Sequence, residues 1–341
     1  MEIFNIIFTI LIVCTFGLQR NSEGLSLQTC NVLKGMSILA VFVGHTSKLF
    51  TGFVLYKLYC SIGLFAVSLF FFISGYGLMY GYMHKENCTA GFARKRIVPI
   101  LVAYLIACIM HYLLNGHQIV NIQSLILCAY VPFSWFIFSI ISLYIMYLLS
   151  VSISKKSKMA EGGGGCVIAS LLVFILIYSV ISLLLEAPYP LLGGHQMVTF
   201  VIGMLVAWKQ DKVFGFVKKT RYLWLVSFVI LWNICLLNKH IHLPEQVLFL
   251  IESAESYVFP LVIIGLLFSF KVIRLKKFWG FFQSHSLQIY LVHGIVLELV
   301  IRQIDLPSEI LIFLIFFITV LMAFSLKFVT KKIIDLIYAK H

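Results

Sequence analysis

Residues 31–50 read NVLKGMSILAVFVGHTSKLF, and residues 61–82 read SIGLFAVSLFFFISGYGLMYGY. Each stretch is apolar over the ~20 residues that a membrane-spanning helix needs, and a short polar break separates them. The first carries Lys34 and His45, eleven positions apart. Eleven residues at ~3.6 per turn make close to three whole turns, which puts both side chains on one helix face, roughly 16 Å apart along the axis. Ionisable groups inside a membrane are costly, and they commonly face a protein interior or a wet cavity and mark function. The packing alternative has Lys34 snorkelling to the interface and His45 as a core histidine bonded to the backbone.

The rest of the 341-residue chain is of the same kind. It is 61% hydrophobic and 11% charged, with a mean hydropathy of +1.02, whereas soluble domains are about 25% charged. The fold class is therefore all-α, a polytopic transmembrane helical bundle. Apolar runs recur at 2–18, 32–50, 61–82, 97–114, 133–151, 166–185, 195–208, 222–238, 247–270, 279–300 and 308–329. The first is read as an anchor, because no convincing small-residue cleavage site marks it as a removed signal peptide. The stretch 118–131 is apolar and ends at Pro132, which reads as an interfacial segment.

The formal net charge of +13 signals topology, not nucleic acid. Arg20, Lys85, the Arg94–Arg96 cluster, Lys155 to Lys158, the 209–221 loop, the 271–277 loop and the C-terminal lysines all fall on one side. Only Lys48, Lys57, Lys239 and Arg302 fall on the other. The positive-inside rule makes the basic loops and the C-terminus cytoplasmic. The eight cysteines are scattered singly and read as apolar packers. His240 and His242 share a loop without a third ligand, so no metal site is expected.

That orientation places His45 and His293 in the outer half of the membrane. Spacings of three, four and three put Gln283, Ser286, Tyr290 and His293 on one face of the 279–300 run. Glu252 and Glu255 share a face near the outer end of the 247–270 run, and His111 lies near the outer end of 97–114.

Several of these stretches, in order, resemble the acyltransferase-3 family, bacterial membrane enzymes that acylate carbohydrates of the cell envelope. NVLKGMSILAVFVGH resembles the family's opening helix, with a basic residue before Gly and a His after ten intervening residues. GLFAVSLFFFISGYGLMY is similar to the second helix, here with Ser74, Gly75 and Tyr76. FARKRIVPI resembles the basic loop that follows. SWFIFSIISLYI with Trp135, FVIGMLVAW with Gly203, and SHSLQIYLVHGIV with Ser286, Tyr290 and His293 are similar to later helices. The resemblance covers about 28–330 and implies ten family helices plus one extra N-terminal helix. The domains are then a 1–27 anchor helix and linker and a 28–341 transmembrane acyltransferase-like domain. The family most often has Arg where Lys34 stands, and Lys lacks the planar guanidinium fork. Its basic loop usually holds two Arg separated by two residues, whereas Arg94, Lys95 and Arg96 are contiguous and Pro99 stands at the second position.

The resemblance implies an integral membrane O-acyltransferase. The donor substrate is acyl-CoA, acetyl-CoA first, with succinyl and other short chains as alternatives; no metal takes part. The acceptor partner is a hydroxyl of an envelope polysaccharide, glycolipid or lipid-linked sugar. The setting is the bacterial plasma membrane and its lipid, without nucleic acid, and a homo-oligomer is compatible with it. CoA phosphates need cations at the inner face, supplied by Lys34, Arg94 and Arg96. A sugar hydroxyl needs a base, and imidazole suits that task near neutral pH, which points to His45 and then His293. Ser74, Tyr290, Glu252 and Glu255 are candidates for substrate binding. Their packing alternatives are close helix approach for Ser74, a structural Tyr290, and a solvated bundle mouth for the two Glu. Direct transfer with His45 as general base and relay through an acyl-enzyme both stay open. The rival class is a transporter or flippase for a lipid-linked sugar, although inverted repeats and matching broken helices are not visible.

Overall fold

The computed structural model describes residues 2–17, 25–49, 59, 61–114, 121–156, 163–184, 194–238, 244–304 and 306–339. Arg20, Lys57, Lys158, Lys239, His240 and His242 lie outside them. Among the described residues the chain is helical nearly throughout, with one two-residue strand pair.

Within the described residues the eleven apolar runs are helical over most of their length, the 279–300 run in two pieces. In chain order these are α1 (Glu2–Thr15), α2 (Leu27–Leu49), α3 (Ile62–His84) and α4 (Val98–Leu114), then α6 (Trp135–Lys156) and α7 (Gly163–Leu184) after the one-turn α5 (Ile122–Ile126). They continue as α8 (Gly194–Trp208), α9 (Gln210–Lys219), α10 (Arg221–Asn238), α11 (Glu245–Leu267), α12 (Lys276–Ser284), α13 (Ser286–Gln303) and α14 (Ser308–Ala339). Among the described residues, seven helices are long and apolar enough to cross a membrane, and the α12–α13 pair makes an eighth span if taken as one. The apolar stretches of α1, α8 and α10 are shorter. The chain is thus a multi-pass membrane protein.

One expectation needs correction. The 279–300 run is not one helix: it is interrupted at His285, between α12 and α13. Gln283 therefore does not share a continuous face with Ser286, Tyr290 and His293. In the 118–131 stretch the described residues form the short α5, capped by the Asn121 side chain accepting from Gln123 N–H, and then a loop.

The described chain divides into two compact units. The first holds residues 1–84 and 195–283, and the second holds 85–194 and 284–341. In the first, α2 packs on α3, and α11 packs on both α3 and α10. Glycines permit the tightest approaches. A Cβ on Gly75 of α3 would run into the Phe200 carbonyl of α8, and one on Gly203 of α8 would run into the Phe72 carbonyl of α3. With no side chain at either position the two backbones touch, the small-residue solution by which apolar helices associate.

The N-terminal helix is tied in by backbone and side chain. Strand β1 (Phe16–Gly17) pairs antiparallel with β2 (Lys271–Val272). The Trp279 indole N–H donates to Thr15 Oγ1 at 2.7 Å, and Trp279 is wholly buried. The end of α1 thus shares a membrane face with the 271–277 loop.

In the second unit, α13 packs on α14 and α4, α4 on α14, and α6 on α7. Before α4 the chain makes a π-helical turn over Ala93–Ile97. Pro99 has no N–H to give to the Lys95 carbonyl, which an α-helical turn would require. The widened turn instead has Val98 N–H donating to the Ala93 carbonyl. Such π-turns often sit at functional sites.

Candidate functional site

In the first unit, α2 carries Lys34 and His45 on the stripe that includes Ile38 and Val41 between them. Ile38 and Val41 are buried, whereas Lys34 and His45 are each half-buried. Each stands beside a glycine at a backbone crossing. A Cβ on Gly35 would collide with the Trp279 carbonyl of α12. One on Gly44 would lie 2.8 Å from the Gly63 nitrogen of α3. The two candidate side chains are therefore held at points where α2 has no room to shift.

Glu252 and Glu255 share a stripe of α11. Glu252 is half-buried, but Glu255 is only 4% exposed, which disfavours a solvated mouth at that position. Ser256, also buried, donates to the Glu252 carbonyl at 2.7 Å. Ser74 is half-buried beside Gly75. Tyr76, one residue further, donates its hydroxyl to Gln210 Oε1 at 2.9 Å.

In the second unit, Tyr290 and His293 of α13 meet the loop between α5 and α6. The Tyr290 hydroxyl donates to the Phe133 carbonyl and accepts from Phe136 N–H at 3.3 Å. The Phe133 ring stacks on the His293 ring with centroids 5.8 Å apart. Gly294 lies against the Pro132 carbonyl, 2.5 Å from where a Cβ would stand. Cys128 and Phe133 both have positive φ, 52° and 63°, uncommon for residues with a side chain. The Ser134 hydroxyl reaches the Val131 carbonyl at 2.6 Å, and the Cys128 carbonyl is in its reach too. Burial pushes the Cys128 thiol up to about 12, with nearby Cys108 adding to the shift.

His293 is 1% exposed. Its Nδ1 lies 2.6 Å from the Tyr290 carbonyl and 3.2 Å from that of Ile289. Carbonyls only accept, so Nδ1 carries the proton and Nε2 is the basic nitrogen. His111 is buried and meets Tyr130 edge-on at 5.1 Å.

Arg94, Lys95 and Arg96 are exposed on the π-turn. Phe92 anchors that turn by burying its ring against Tyr144 and Tyr147. Arg94 is already engaged, its guanidinium 3.7 Å from the centre of the Tyr338 ring on α14. Arg96, with no ring partner described, is the better placed of the two to meet an incoming anion.

The model of an acyltransferase domain matches residues 28–328. The chain belongs to the acyltransferase-3 family. No curated protein and no solved structure matches it. Within the acyltransferase domain, the Gly75 and Gly203 motifs prove to be two halves of one helix crossing, and the Trp135 and Tyr290–His293 motifs flank one loop. The match begins at residue 28, so α1 lies before it.

Sequence reasoning missed the loop at 128–134, the anchors Phe92 and Trp279, and the crossing at Gly44. The Lys34–Gly35 and Gly44–His45 pairs were readable signals, since a Gly inside a helical pattern commonly has a packing reason. Positive φ at Cys128 and Phe133 left none, because neither is a residue type that favours it. Among the described residues, no three His, Cys, Asp or Glu side chains cluster as metal ligands would.

Proposed function

We propose that this acyltransferase moves a short acyl group, acetyl first among the candidates and succinyl next, from cytoplasmic acyl-CoA to a hydroxyl of an envelope polysaccharide or glycolipid at the bacterial plasma membrane. The observation that carries it is the α2 stripe, with a cation and an imidazole both half-buried and roughly 16 Å apart. That separation suits a donor whose phosphates are held at one end while its extended arm delivers a thioester to the other. Lys34 answers the phosphates, and Arg96 is a separate candidate for the same role. His45 takes the acceptor proton, the hydroxyl oxygen attacks the thioester carbonyl, the C–S bond breaks, and CoA leaves as a thiolate that takes up a proton. A relay gives the same balance in two steps, with the His45 nitrogen acylated first and the hydroxyl attacking second.

Burial separates the two histidines. His45 is half-buried, whereas His293 is enclosed and bonded to main-chain carbonyls, which suits a packing group better than one that meets substrate. Purified protein given acetyl-CoA tests the proposal: thioester turnover in wild type, lost in His45→Ala with folding intact, supports it. Wild-type protein that neither binds nor turns over any short acyl-CoA sinks it and revives the transporter reading.

A further inference from the structure

The first unit encloses a partly open cavity of about 590 Å³ whose lining is almost wholly apolar, Ser37 being its polar exception. Its walls come from α1, α2, α3, α10 and α11. On α2 the lining residues are Leu33, Met36, Ser37 and Ala40. At 100° per residue their stripe is centred roughly 120° round the helix from the Lys34–His45 stripe. The cavity is thus a different place from the candidate chemical site.

We infer that this cavity is a binding site for one acyl chain of a membrane phospholipid. Water gains nothing in so apolar a space. Left empty, a space of this size would cost about as much as the whole stability of a typical fold. The solvent at hand for a membrane-spanning chain is hydrocarbon. A methylene takes about 25–30 Å³ at interior packing density, so the volume has room for roughly 20–24 carbons, enough for one phospholipid chain but not for two. From Phe259 to Leu267 the lining follows α11 for eight residues, roughly 12 Å of helix. That lies within the ~15 Å depth of one leaflet's hydrocarbon. A single phospholipid tail, bent within that height, fits the volume, whereas two tails or a long polyprenyl tail exceed it.

The wall that α1 supplies is built, not incidental. Phe8, Ile12 and Val13 belong to α1, which lies before the family-matched residues. That helix is fastened by the β1–β2 pair and by the buried Trp279–Thr15 bond. Across the space, the stacked rings of Phe65 and Phe259, 4.6 Å apart, join α3 to α11. The site rests on the membrane-spanning fold and not on the proposed acyl transfer, so either can fail without the other.

The test is photo-crosslinking of the full-length protein in nanodiscs made with a phosphatidylglycerol that carries a diazirine in a C16 chain, followed by peptide mapping. Leu33, Met36 and Ala40 are buried by the fold and do not face bulk lipid. Adducts there, alongside those on the lipid-facing Phe317 and Leu176, support the site. Adducts confined to lipid-facing residues overturn it. Ala40→Phe should cut adducts at Leu33 and Met36 at least five-fold and leave Phe317 labelling unchanged. The milder Val13→Phe, at the exposed edge of the lining, should lower the same adducts even if Ala40→Phe folds poorly. Native mass spectrometry supplies the second readout. One retained phospholipid per wild-type chain, lost in Val13→Phe, is expected; no retained lipid, or a retained polyprenyl lipid, overturns the assignment.

Discussion

Gly75 and Gly203 each take the other helix's backbone where a side chain would be: the Phe200 carbonyl stands against the first and the Phe72 carbonyl against the second. The contact is reciprocal, so the α3–α8 distance is set by main chain alone. Gly75→Ala or Gly203→Ala must push the helices apart, since a carbonyl cannot move as a flexible side chain can. Overpacking of this kind costs about 1–3 kcal/mol or more. Each variant should melt several degrees lower in detergent, and the double variant should be little worse than the poorer single. Melting at the wild-type temperature would mean that the crossing is looser than described.

His45→Ala should lower acyl transfer about 10²–10⁴-fold, the usual contribution of a general base, while CoA binding and melting stay near wild type. His45→Gln keeps much of the polar shape and should restore stability but not rate. A well-folded His45→Ala enzyme working at the parental rate would remove the base from His45.

Arg94 and Arg96 should separate. An exposed cation–π contact is worth about 0.5–1 kcal/mol, so Arg94→Ala and Tyr338→Leu should destabilise the π-turn by similar small amounts. CoA affinity, measured by calorimetry, should fall in Arg96→Ala and Lys34→Ala and be better kept in Lys34→Arg. Unchanged affinity in both alanine variants would take these residues out of the donor site.

Tyr290→Phe removes a hydroxyl that bridges the Phe133 carbonyl and Phe136 N–H. Two lost hydrogen bonds at about 0.5–1.5 kcal/mol each should appear as a lower melting temperature. The loop they hold also contains Cys128, whose thiol burial keeps protonated. Alkylation needs the thiolate, so iodoacetamide at pH 7.5 should leave Cys128 unmodified in wild type and reach it in Tyr290→Phe. Rapid labelling of Cys128 in wild type would show that the loop opens without help.

The helical content was legible because lipid forces a simple code on sequence. Every backbone polar group must be satisfied within the segment, so apolar runs of sufficient length become helices. That logic located all eleven runs, and it failed at His285, where no Gly or Pro announces the break between α12 and α13. Lys34 and His45 could be paired from spacing alone, because helix geometry fixes which residues share a face. Tyr290 and Phe133 could not, since their partnership crosses more than a hundred residues of chain and depends on a loop whose backbone is unusual at two side-chain-bearing positions. Glu255 was visible as a charge in an apolar run, but its burial is a property of packing. The identity of the wall opposite Ala40 was likewise hidden: α1 reads as a simple anchor until Trp279 is seen to hold it.

The Trp279–Thr15 bond joins residues 264 positions apart, and that separation orders events during synthesis. Chains emerge N-terminus first. Thr15 leaves the ribosome early and must wait for Trp279, by which time α2, α3, α10 and α11 have already been made. The first helix to be translated is therefore among the last to be latched. Until then the space it will wall stands wider open to the surrounding bilayer, so a lipid tail can already enter sideways during assembly.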